Sequence, residues 1–117
     1  MLRNLYFALL TSKNEGSSPT PADLVGLCEE EGEMEFWTDR AIAVGQARLL
    51  SRKSNAENGS VFACSIEASR FDYWYQFDYF ADDVELTETD SLRISVDDLS
   101  EFFSELRTPP EYVGSYE

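Results

Sequence analysis

The spacing of hydrophobic and polar positions changes along this chain, and each change marks an element. Leu2 to Leu10 is an apolar run interrupted by Arg3 and Asn4, which predicts a strand. After a stretch from Thr11 to Thr20 rich in Ser, Gly, Asn and Pro, Thr20-Pro21-Ala22-Asp23 supplies a hydroxyl cap, a proline at the first helical position and an acid in the first turn. That signal predicts a helix over 21–31, stopped at Gly32. Met34 to Thr38 reads as a short strand. Asp39 then caps a helix whose Ile42, Ala43, Gln46, Leu49 and Leu50 share one face at a period of 3.6.

A turn from Asn55 to Gly59 precedes an alternating strand, Ser60 to Ala68. The aromatic segment Phe71 to Phe80 also alternates, with Phe71, Tyr73, Tyr75, Phe77 and Tyr79 on one face and Asp72, Trp74, Gln76, Asp78 and Phe80 on the other. An acidic loop, Ala81 to Asp90, leads to a strand over Ser91 to Val96. Asp97 caps a last helix bearing Leu99, Phe102, Phe103 and Leu106 at i, i+3, i+4 and i+7, which ends before Pro109-Pro110. Residues 107–117 read as a tail. The order is β-α-β-α-β-β-β-α, and consecutive strands with segregated helices imply a single α+β domain over 1–106 with a mainly antiparallel sheet.

Composition adds a charge asymmetry. The 117 residues carry 23 acids, nine bases and no histidine, for a net charge of -14. Residues 61–117 hold 14 of the acids and only three bases, Arg70, Arg93 and Arg107. Such a field repels nucleic acid and anionic lipid and attracts basic protein surfaces. Four of the six other bases, Arg40, Arg48, Arg52 and Lys53, belong to the second helix and are expected to pair with neighbouring acids or with Glu29, Glu30 and Glu31.

Cys28 and Cys64 sit among apolar neighbours with no CxxC spacing, the commonest pattern of buried free thiols in a reducing cytosol, with a disulfide between them as the alternative. The N-terminal apolar run reads as a strand rather than a signal peptide, and no run reaches the length of a membrane span. The expectation is a soluble cytoplasmic protein.

Without histidine, Ser-His-Asp and Cys-His nucleophile activation are excluded and the commonest zinc ligand is missing. The glycine-rich phosphate loops, the nucleophile elbow and the calcium-loop template are unmatched. With 23 acids some carboxylate pair always lies at a plausible distance, so spacing alone assigns no catalytic pair, metal or cofactor.

The acid-rich half therefore reads as a binding surface. Asp72, Asp78, Asp82, Asp83, Glu85, Glu88 and Asp90 offer carboxylates in the manner of nucleic-acid phosphates, with Trp74 and Phe80 as desolvated contacts. A plainer reading is that the acidity serves solubility at high salt, and that a helix buries Trp74. In size and composition the chain is similar to small acidic inhibitors made by phages and mobile elements, anti-CRISPR and anti-restriction proteins among them, and to toxin-immunity proteins. That similarity implies a non-enzymatic protein that occludes a basic, nucleic-acid-handling partner such as a nuclease, without touching nucleic acid or membrane itself.

A second resemblance covers about a third of the chain. Phe36-Trp37-Thr38-Asp39, the Ala-rich helix from Ala41 to Ala47 and the strand Ser60 to Ala68 look like the central part of small ADP-ribosyltransferase-like proteins. The resemblance implies an NAD pocket beside that helix, with Thr38 as the hydroxyl of the second strand, Arg3 or Tyr6 as the first-strand residue and Glu111 as the late glutamate.

Overall fold

The computed structural model describes residues 1–12, 32–53, 57–78 and 91–116. The helix expected over 21–31 and the loop from Ala81 to Asp90 lie outside them. Strands β1 (Leu2–Ser12), β2 (Glu33–Trp37), β3 (Glu57–Glu67), β4 (Ser91–Ser95) and β5 (Thr108–Tyr116) form one sheet in the order β4-β2-β1-β3-β5. Every neighbouring pair is antiparallel. Helices α1 (Arg40–Arg52), α2 (Ala68–Asp78) and α3 (Leu99–Ser104) complete the described residues. The α+β class expected from the sequence is what the chain adopts.

The alternation of β1 divides the molecule into two cores. Leu5 and Phe7 face α2 and α3, where they meet Met34, Phe36, Phe62, Cys64, Ile66, Leu92 and Ile94. Tyr6 and Ala8 face the opposite way, toward α1. On the first side a chain of rings crosses the sheet: Tyr112 lies 5.9 Å from Phe62, Phe62 5.3 Å from Phe7, Phe7 5.2 Å from Phe36 and Phe36 4.8 Å from Phe102. Beyond area burial, each such pair contributes about 0.5–1.5 kcal/mol.

Besides the cap of α3, which is Asp98 rather than Asp97 and makes no side-chain capping hydrogen bond, three expectations are corrected. The aromatic segment from Phe71 is helical to Asp78 rather than a strand, and its stripe is Phe71, Trp74 and Tyr75, all buried, while Tyr73 is 46 % exposed. Those three residues fit i, i+3, i+4 as well as the alternate set fits a period of two, and burial against α3 and the sheet decides between them. Trp74 stands edge-on to Phe102 at 5.6 Å. Residues 108–116 are no tail: they pair with β3, and Pro109 and Pro110 are accommodated because β5 is an edge strand.

The third correction concerns α1. Asp39 caps it as expected, accepting from the Ala41 N–H at 2.9 Å, but the buried residues are Ala43 and Ala47, whereas Leu49 is 45 % exposed and Gln46 is exposed. The reason is a close approach to β3. A Cβ at Gly59 would lie 1.8 Å from the Ala47 carbonyl oxygen, so only small residues fit this seam. Ser51 locks it by accepting the Gly59 N–H at 2.6 Å and donating to the Tyr116 carbonyl.

Gly59→Ala is therefore expected to lift α1 from the sheet and cost about 2–4 kcal/mol. Urea denaturation checks this; an unchanged midpoint would show that the seam does not constrain the fold.

Candidate functional site

Of the residues expected to bind a partner, Asp72 is half-buried on α2 and Asp78 closes that helix. Phe80, Asp82, Asp83, Glu85, Glu88 and Asp90 lie outside the described residues. Trp74 is 3 % exposed in the core, so it is no interface contact. Because α2 is a helix, Asp72 and Trp74 no longer share a face.

All three bases of the acidic half are held by acids. Arg70 pairs with Glu105, Arg93 with Glu35 at 3.1 Å and Arg107 with Glu67 at 3.6 Å. The hydrogen bond to Glu105 holds the Arg70 guanidinium above its ordinary pKa. Asp72, Asp97, Asp98, Glu101 and Glu111 make no ion pair among the described residues, and Asp97, Glu101 and Glu111 are exposed.

The α1 side of the sheet carries a different constellation. Cross-strand pairing runs Ser91 to Trp37, Trp37 to Tyr6, Tyr6 to Ala63 and Ala63 to Glu111, one row across all five strands. Directly paired residues project to the same side of a sheet, so these side chains line one strip. At the usual strand spacing the Tyr6 and Glu111 backbones are roughly 10 Å apart. Tyr6 and Trp37 are half-buried at the edge of the α1 cluster, and Glu111 is exposed. Beyond the row, away from α1, Asn4 is exposed and Ser65 donates to Thr108 Oγ1 at 2.7 Å. The result is an aromatic floor with α1 on one side, amide and hydroxyl groups on the other and a carboxylate at one end.

This row sorts the candidates of the sequence. Tyr6 shares the face of Glu111, and Thr38 follows Trp37 directly, between the row and the Asp39 cap. Arg3 pairs with Ile66 and points to the other face, where its guanidinium sits 5.0 Å from the centre of the Phe71 ring. Sequence reasoning missed Trp37 as a site residue. The signal was present: with Met34 and Phe36 on one face of β2, Trp37 must lie on the other.

Comparison with protein-family models, with curated proteins and with solved structures finds no match. Among the described residues no group of His, Cys, Asp and Glu is arranged to hold a metal ion, and no helix is long and apolar enough to cross a membrane.

Cys64 is buried in the ring-lined core, and burial pushes its thiol up to about 12. A raised folded-state pKa means that the protonated thiol stabilises the fold fully below the ordinary value of 9.0, and that this contribution is lost as pH climbs from there through about 12. In a Cys28→Ser variant, native protein is expected to resist iodoacetamide at pH 8 and to react once unfolded in urea. Rapid native alkylation would show Cys64 to be accessible.

Proposed function

We propose that the chain is a small ADP-ribosyltransferase-like enzyme that binds NAD on the open strip of the sheet. The observation that carries this reading is the single cross-strand row holding Tyr6, Trp37 and Glu111, with Thr38 directly after it. The residues fit a dinucleotide. Tyr6 and Trp37 offer the uncovered part of their half-buried rings to a planar base, Asn4 and Thr108 offer hydrogen-bonding groups, and the Glu111 carboxylate suits a ribose hydroxyl. NAD when bound supplies the glycosidic bond to nicotinamide that such enzymes cleave. Glu111 holds the hydroxyl of ribose or of the acceptor by accepting its hydrogen bond, while α1 limits water on one side of the strip.

A second reading keeps the acidic half as an inhibitor surface that mimics phosphates and occludes a basic, nucleic-acid-handling protein. It is favoured by the capture of Arg70, Arg93 and Arg107 in ion pairs with other acids, so that Asp97, Asp98 and Glu101 make no ion pair among the described residues. Its surface centres on the described acids of α3 and on Asp72, with Trp74 removed.

The two readings separate in one experiment. Calorimetric titration with NAD is expected to show binding, and Glu111→Gln is expected to keep that affinity within about twofold while nicotinamide release falls about 100-fold or more. No heat of binding, with association to basic proteins that vanishes as salt rises, would set the enzyme reading aside in favour of the inhibitor.

A further inference from the structure

Among the described residues, the bases of α1 find no acid partner. Arg40, Arg48, Arg52 and the capping Lys53 are exposed, and none enters an ion pair among the described residues; Glu29, Glu30 and Glu31, expected as their partners, lie outside those residues. The helix itself contains no acid. Arg48 and Arg52 stand one turn apart on the same flank, about 6 Å along the axis, and the Arg48 guanidinium lies 5.9 Å from the centre of the Tyr116 ring. Next to them Leu49 is 45 % exposed and Ile42 is half-buried.

The exposed acids Asp97 and Glu101 lie across the sheet, on and before α3, while Glu33 and Glu111 are exposed on the α1 side of the sheet. The shortest extent of the molecule is 25 Å, against a Debye length of about 8 Å at physiological salt. The acids of α3 are therefore screened from α1, whose own residues and C-terminal cap carry four exposed bases and no acid.

We infer that the outer face of α1 is a docking surface for an acidic amphipathic segment of a partner protein. Charge complementarity selects an anionic occupant. Leu49, exposed between Arg48 and Arg52 in sequence, selects one with apolar side chains among its carboxylates, since a nucleic-acid backbone would pair the arginines and leave Leu49 in water. A second copy of this chain is disfavoured by the repulsion of two bodies each at -14. The inference is independent of the NAD reading, because no residue of the cross-strand row takes part.

The test uses the full chain and a fluorescein-labelled amphipathic peptide of Glu and Leu, read by anisotropy. Saturable binding is expected, weakened about tenfold by Arg48→Gln with Arg52→Gln and about threefold by Leu49→Ser. All three positions are exposed, and circular dichroism verifies that the variants stay folded. Absence of peptide binding, or equal affinity in the variants, overturns the proposal. So does stronger α1-dependent binding of single-stranded DNA or phosphatidylserine vesicles, or concentration-dependent self-association in sedimentation.

Discussion

Everything described here depends on β1 being the middle strand with a different task on each side. Phe7 sits at the centre of one face, between Phe62 of β3 and Phe36 of β2, and through Phe36 the ring chain reaches Phe102 of α3. Tyr6, one residue earlier, faces the other side and pairs with Trp37 and Ala63. A period of two forces this division: a slip of one residue would carry Phe7 out of the ring-lined core and onto the α1 side. The core that fixes the register thereby fixes which residues meet on the open strip.

The two sides also differ in what covers them. Against α2 and α3 the sheet is sealed by large aromatic side chains, and Trp74 belongs to that seal. Against α1 the contact centres on Ala43, Ala47 and Val61, and Gly59 permits the helix backbone to approach closely where β3 begins. On the rest of that face Asn4 is exposed and Tyr6 is half-buried. A small-residue seam holds the backbone near the sheet and turns the polar flank of α1, with its arginines, to solvent.

Much of this fold was legible because burial and local chemistry agree. β1, β2, β3 and β4 follow their apolar patterns, Asp39 caps α1, and Leu99, Phe102 and Phe103 mark α3. Reading failed where two periods fit the same residues, at Phe71 to Tyr75, and where a rule about proline holds only inside a sheet, at Pro109 and Pro110. The face of α1 was misread because apolar size pointed to Ile42 and Leu49, while the seam admits only alanine. Of the site, Tyr6, Thr38 and Glu111 were visible through resemblance, yet their alignment is a property of register across strands far apart in sequence. No local pattern encodes it.

The central claim is that the strip from Trp37 to Glu111 is where a ligand binds. Amide chemical-shift mapping of the labelled protein during titration with NAD addresses it most directly. The account predicts that the largest shifts group on Tyr6, Trp37, Thr38, Ala63 and Glu111, residues distant in sequence and joined only by the cross-strand row. Shifts confined to α3 or to the outer face of α1, or no shifts at all, would contradict it.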